Sequence, residues 1–213
     1  MRLSYDTINE VFQKTEKTRS KMSENRALIE YLKTRRSVTL PFLQEPGPDR
    51  HQLQDILEIG TRVPDHGKLA PWRLITIEGE ARKIAGQKLA DLVQSRDPEV
   101  SEEMLDAERT RFLPAPITIG VISSAQDHPK IPIIEQQFSA ACVCFNLVHA
   151  AHALGFAAHW VTRWYAFDAE ASAIFGAKEG EFFAGFVHIG TPTTHLGERP
   201  RPELADIVES WVG

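Results

Sequence analysis

The chain has 213 residues, of which 42% are hydrophobic and 25% charged, an ordinary globular mixture that excludes a disordered, collagen-like or coiled-coil protein. Its net charge of −5 lacks the positive surplus of a nucleic-acid or membrane-surface binder. No apolar run approaches the ~20 residues that span a bilayer, so we expect neither nucleic acid nor membrane as a partner. The two cysteines, Cys142 and Cys144, point apart in a predicted helix, which indicates no disulfide and a cytoplasmic location.

The first predicted helix follows a polar segment. We interpret residues 1–22 as an N-terminal extension, helical or disordered, ahead of a single domain over residues 23–213. From Glu24 the apolar residues are spaced for one face of a helix, and this pattern ends near Thr34.

The remaining elements alternate irregularly between helix and strand. They are predicted, in chain order, as a helix over 49–60, a strand over 72–78, one exposed helix over 80–107, a strand over 116–123, a helix over 133–154, a strand over 156–162, a helix over 168–175, a strand over 182–189 and a short helix ending near 211. The run 116–123 is almost entirely apolar, which is typical of a strand buried on both faces. Residues 133–154 are apolar nearly all round and predict a central helix. Without regular βαβ alternation, the order favours an α+β fold over a doubly wound sheet.

Motifs for several common chemistries are absent from the sequence. No glycine-rich dinucleotide loop follows a strand, and no P-loop or serine-hydrolase elbow occurs. His149, His152 and His159 have no carboxylate or thiol at ligand spacing, although Cys144 lies nearby, and we predict no metal site. Any enzymatic activity therefore belongs to an organic cofactor, for which the protein supplies binding and electrostatics.

Three cationic clusters lie near the ends of predicted elements. They are Arg35-Arg36-Ser37 after the first helix, the segment 62–72 between two prolines and a strand, and Arg199-Pro200-Arg201 beyond the last strand. Arginine and backbone amides in such positions suit phosphate or another planar anion. The alternatives are a helix end facing solvent, a rigid crossover and a solvated tail, respectively.

Taken in order, these motifs resemble the nitroreductase family. The matching features are Arg-Arg-Ser, a Pro-Asp-His…Pro-Trp loop, a long alanine-rich helix ending Leu-Gly-Phe, Gly-Thr-Pro, and Arg-Pro-Arg. The loop resembles that of a branch of small FMN-dependent reductases, and the resemblance runs from about Glu24 to Trp211. It implies a central mixed or antiparallel sheet flanked by helices, with the long helix buried at a homodimer interface.

The resemblance also implies the residues that bind FMN. They are Arg35, Arg36, Ser37, Arg62, His66, Trp160, Val161, Thr162, Arg199 and Arg201. In the family the first cluster contacts the ribityl-phosphate, the loop reaches a flavin held mainly by the partner subunit, the strand after the long helix lies along the isoalloxazine, and the tail clamps the phosphate. Thr39 stands where many relatives carry a basic residue, Val161 replaces a polar residue or glycine, and Trp160 is equally suited to a core position.

The activity that this resemblance implies is hydride transfer. NAD(P)H reduces FMN at N5, and a nitroaromatic, quinone or similar acceptor is then reduced at the same site in a two-step, ping-pong reaction. No side chain acts as a nucleophile. The alternatives are a flavin-using dehalogenase or flavin-breakdown enzyme, a flavin-binding or storage protein without turnover, and a plain anion-binding module.

Overall fold

A computed structural model describes residues 24–213 of the chain. The boundary between two compact units falls between Arg36 and Ser37. The predicted extension over residues 1–22 lies outside the described residues.

The smaller unit contains helix α1, Arg26–Thr34. Asn25 caps this helix, because its side-chain oxygen accepts a hydrogen bond from the Leu28 N–H at 3.1 Å. The helix predicted from Glu24 is thereby confirmed, with Arg35 as the first residue beyond its end.

The larger unit combines helices with a five-stranded sheet. Its strands are β1 (Leu43–Gln44), β2 (Trp72–Glu78), β3 (Ile117–Ser123), β4 (Ala157–Val161) and β5 (Phe182–Pro192). Its helices are α2 (Arg50–Gly60), α3 (Ala81–Arg96), α4 (Glu102–Arg109), α5 (Ile133–Ala153), α6 (Trp164–Phe167), α7 (Ala169–Ile174) and α8 (Leu204–Ile207). This arrangement confirms the predicted α+β class.

The sheet is antiparallel at each of its strand pairs. Its order is β1-β5-β3-β2, and β4 also pairs with β5. Thr118 and His159 both lie opposite His188, so β3, β5 and β4 run side by side at that level. Strand β5 is therefore the partner of three other strands.

Both faces of the sheet are covered by apolar side chains. Helices α2 and α5 pack on one face, where Ile56, Leu147 and Ile119 are fully buried. The other face is an aromatic core that includes Phe112 and Phe183. Because all seven residues of β3 are buried, the strand predicted from the apolar run 116–123 is confirmed.

Helix α5 has two different faces. Nine of its residues are buried, and Leu147 packs so closely on α2 that a Cβ at Gly60 would lie 2.3 Å from its Cδ2. On the outer face Ile134 and Phe138 are 50% and 61% exposed. The helix is thus long and central as predicted, but its all-round apolar character reflects one buried and one exposed apolar face.

Two of the predicted elements differ from the structure. The single exposed helix expected over 80–107 is two helices, α3 and α4, separated by residues 97–101, and α3 buries Leu89 and Ala90. The last strand does not stop at residue 189 but continues to Pro192, because Thr191 and Pro192 pair with the short strand β1.

Neither cysteine forms a disulfide, as expected from their spacing. Cys142 is exposed, whereas burial raises the pKa of the Cys144 thiol and keeps it protonated. Across residues 24–213, no helix has the length and apolar character needed to cross a membrane.

An ion pair on the aromatic side of the sheet leads to a pH-dependent prediction. Arg73 donates to Glu181 at 2.5 and 3.2 Å, and this hydrogen bonding lowers the pKa of Glu181. The stabilisation is complete above about pH 4.5, the ordinary value, and is lost as the pH falls through the lower folded pKa. We expect Glu181→Gln to lower the free energy of unfolding at pH 7 by about 1 kcal/mol.

Urea unfolding at pH 7 and pH 3 measures this effect, with Glu179→Gln as the matched control because Glu179 is exposed. Glu181→Gln and the unmodified protein converge at pH 3, where both lack the carboxylate charge. A difference that is equally large at both pH values contradicts the assignment.

Candidate functional site

The 62–71 loop, which joins α2 to β2, is held by hydrogen bonds from within. The Asp65 carboxylate accepts from the backbone N–H groups of Leu69 at 3.1 Å and Ala70 at 2.8 Å. Lys68 and Ala70 have positive φ angles of 55° and 45°, although neither is glycine. Such conformations cost about 1–3 kcal/mol each and persist where surrounding contacts impose them. The carboxylate of Asp65 supplies two of those contacts.

A second set of contacts fixes the loop to helix α5 and the segment before it. His66 Nδ1 lies 2.8 Å from the Glu135 carboxylate, and the Ser139 hydroxyl donates to the Pro64 carbonyl at 2.8 Å. A Cβ at Gly67 would lie 2.4 Å from the Ile131 side chain, so the backbone approaches closely there. The loop is therefore a rigid structure with a defined shape.

This rigid loop carries uncompensated positive charge. Arg62 and Lys68 are exposed, and within residues 24–213 neither side chain forms an ion pair or hydrogen bond. Both oxygens of Asp65 accept from backbone amides, and Glu135 pairs with His66. The sequence-predicted residues Arg62 and His66 thus lie in one preformed segment, to which the structure adds Asp65 and Lys68.

The end of β4 presents the next group of predicted residues. The Trp160 indole N–H donates to the Ala184 carbonyl at 3.2 Å. It lies so close to β5 that a Cβ at Gly185 would be 1.9 Å from Nε1, which fixes the ring against the sheet. Val161 packs at the margin of the aromatic core, whereas Thr162 is exposed. The core position considered for Trp160 is confirmed by its packing on the α5 side of the sheet.

Sequence reasoning missed Arg163, which directly follows this strand. Arg163 is exposed and makes no ion pair within the described residues. Its charge lowers the pKa of neighbouring His159, after the larger effect of burial. A cation immediately beyond three predicted contacts was a signal present in the sequence.

A buried histidine lies behind this strand end. His188 Nδ1 is 2.7 Å from the Thr118 hydroxyl, and burial lowers the pKa of His188 to about 3. The imidazole therefore stays neutral at physiological pH. It is a structural polar group of the sheet and adds no positive charge to the site.

A cavity of about 270 Å³ adjoins the 62–71 loop. It lies between that loop and the segment that leaves β3. Its lining residues are Leu69, Ala70, Pro71, Ser124, Gln126, Asp127, His128 and Gln136. Because three of them directly follow Lys68, the strained part of the loop forms one wall of the cavity.

The remaining predicted residues lie in other segments. Arg35 and Arg36 end the smaller unit, where the Arg35 N–H donates to the Tyr31 carbonyl at 2.8 Å. Ser37 begins the larger unit, and the next N–H along the chain, that of Val38, donates to the Ala158 carbonyl of β4 at 3.3 Å. This bond places Ser37 beside the strand that bears Trp160.

The two tail arginines have local contacts. Arg201 pairs with Glu198 at 3.0 Å, and the Arg199 backbone N–H donates to the same carboxylate at 2.8 Å. Within the part of the chain that the structure describes, neither arginine side chain hydrogen-bonds to the loop or to β4. Their predicted contact with a phosphate stays a prediction.

Comparison with known proteins identifies the family. The model of the "Nitroreductase family" matches residues 32–191. "Putative NAD(P)H nitroreductase YdjA" of Escherichia coli (strain K12) is 33% identical over 164 residues, which are 77% of this chain and 87% of that protein. The chain therefore belongs to the nitroreductase family, and the resemblance inferred from its motifs is confirmed.

Solved structures share the fold. A nitroreductase-like family protein from Bacillus cereus has a TM-score of 0.73 and 23% identity, with 90% of this chain and 100% of that chain covered. A nitroreductase with bound FMN from Bacteroides fragilis has a TM-score of 0.62 and 21% identity, with coverage of 88% and 100%. These likenesses confirm the predicted nitroreductase-like architecture.

Proposed function

We propose that the protein is an FMN-dependent oxidoreductase that transfers a hydride from NAD(P)H to a nitroaromatic, quinone or similar acceptor in two successive half-reactions. The observation that carries the proposal is the rigid 62–71 loop, which presents Arg62 and Lys68 without counter-ions. Membership of the nitroreductase family and the NAD(P)H named for the E. coli relative support the same chemistry.

The chain's residues fit the requirements of FMN. Its phosphate is a dianion, and each charge-assisted hydrogen bond to it contributes roughly 1.5–3 kcal/mol. Arg62, Lys68, Arg163 and Arg199 have side chains without an ion pair inside residues 24–213, so their charges are available to a ligand. The residues proposed to hold FMN are Arg35, Arg36, Ser37, Arg62, His66, Trp160, Val161, Thr162, Arg199 and Arg201.

Bound FMN supplies the hydride chemistry at its N5 atom. The protein's own contributions are binding and orientation. Arg35, Ser37, Arg199 and Arg201 hold the ribityl-phosphate, and the end of β4 lies along the ring. The fixed indole of Trp160 keeps that strand end in one conformation, because it is bonded to Ala184.

We also infer a homodimer that uses the outer face of α5. Ile134 and Phe138, four residues apart on that face, are 50% and 61% exposed. Exposed apolar side chains on one helix face are typical of an interface. A flavin site that needs the loop of a partner subunit is complete only in such a dimer.

Visible absorbance tests the proposal directly. The protein is purified with added FMN, desalted, and treated anaerobically with NADPH and then NADH. A two-band flavin spectrum that bleaches with either nucleotide supports the oxidoreductase, and sedimentation of the same sample reports whether it is a dimer. Bound FMN that neither nucleotide reduces favours the storage protein, and a colourless protein after reconstitution contradicts FMN binding.

A further inference from the structure

The strained part of the 62–71 loop contains a lysine that no internal contact explains. Lys68 adopts a φ of 55° and its backbone N–H donates to the Asp65 carbonyl at 3.2 Å. Its ammonium group makes no ion pair or hydrogen bond with any residue from 24 to 213. Strain of this kind at a residue with an unused charge points to a role in ligand binding.

Asp65 is the residue that imposes this conformation. Its carboxylate accepts from the N–H groups of the two residues after Lys68, so the backbone turns at Lys68 and again at Ala70. Since both carboxylate oxygens are engaged with the backbone, neither bonds to the lysine. Asp65 therefore fixes the position of the Lys68 backbone without using the side-chain charge.

The lysine also lies at a cavity. Leu69, Ala70 and Pro71, which follow it directly, form one wall of the 270 Å³ cavity beside the loop. The one carboxylate on the lining is Asp127, in the segment that leaves β3. Lys68 thus brings positive charge from the loop side, on a backbone that is held by Asp65, Gly67 and the contacts to α5.

We propose that Lys68 provides the positive charge that stabilises the reduced, anionic form of FMN, and that Asp65 is the positioning residue that holds Lys68 there. The proposal rests on the proposed function, because it assigns a role toward the same cofactor. A cation beside the ring stabilises the reduced anion more than the neutral oxidised ring. Lys68 thereby favours the reductive half-reaction.

The test measures the affinities of the apoprotein for oxidised and reduced FMN and the midpoint potential of the bound flavin. Lys68→Gln is expected to weaken binding of reduced FMN about tenfold more than binding of oxidised FMN. That change lowers the midpoint potential by about 30 mV for a two-electron couple. Lys68→Arg keeps the charge and is expected to restore most of the potential.

Lys88→Gln is the matched control, because Lys88 is an exposed lysine on α3. Asp65→Asn is expected to shift the potential in the same direction as Lys68→Gln, and the double variant is expected to shift it no further than Lys68→Gln alone. If Asp65 had only a structural role, Asp65→Asn would lower the melting temperature and leave the potential unchanged.

The outcomes separate this inference from the proposed function. A Lys68→Gln protein that binds FMN with an unaltered potential overturns the role of Lys68 and leaves the oxidoreductase intact. An unmodified protein that binds no FMN overturns both.

Discussion

Replacing Phe112 by alanine is expected to lower the free energy of unfolding by about 3–5 kcal/mol. Phe112 is fully buried beside the sheet, and its ring lies 5.6 Å from Tyr165, 5.5 Å from Phe175 and 6.0 Å from Phe186. Truncation removes all three aromatic contacts and leaves a cavity that this close-packed core fills only in part. Chemical denaturation at constant pH measures the loss.

Phe167→Ala is the matched control for this variant. Phe167 is 62% exposed and its closest aromatic neighbour, Phe182, is 6.1 Å away. We expect it to cost less than about 1 kcal/mol, as surface truncations do. Equal losses for the two variants would show that the aromatic core is not the main support of this side of the sheet.

Replacing Arg199 by glutamine is expected to weaken FMN binding roughly 10- to 150-fold. The range corresponds to one lost charge-assisted hydrogen bond of about 1.5–3 kcal/mol, at tenfold per 1.4 kcal/mol. The only contact that the structure gives Arg199 within residues 24–213 through hydrogen bonding of its own N–H is to Glu198, so its guanidinium is available to a phosphate. Fluorescence titration of the apoprotein with FMN measures the affinity.

Riboflavin separates a phosphate contact from a general loss of structure, because it carries the same ring without the phosphate. The effect of Arg199→Gln is expected to vanish with riboflavin. Arg50→Gln, at the exposed start of α2, controls for the loss of one positive charge. An equal loss of affinity for both flavins contradicts the assignment of Arg199 to the phosphate.

Local patterns predicted most of the long elements. The continuous apolar run became the wholly buried strand β3, and the alanine-rich segment became α5. The break between α3 and α4 was also readable, because Pro98 lies in it, yet sparse apolar spacing was interpreted as one exposed helix. Strand β1 was not readable, since its two residues are ordered by pairing with Thr191 and Pro192 at the other end of the chain.

The candidate site was predictable to a different degree. The motifs indicated the loop and the end of β4, and the structure places Arg62, His66 and Trp160 there. The positive φ angles of Lys68 and Ala70 have no signal in the sequence, because neither residue type favours that conformation. They follow from the bonds that Asp65 makes once the loop has folded.

The position of β5 sets the order in which the sheet can form during synthesis. Strands β1 and β4 each pair with β5 and, in the described chain, with no other strand. A nascent chain that ends before Phe182 can therefore form the β2–β3 hairpin but leaves the other two strands without hydrogen-bonding partners. Because such long-range pairing is slow, the apolar faces of α2 and α5 remain exposed on the ribosome until nearly the whole chain has emerged.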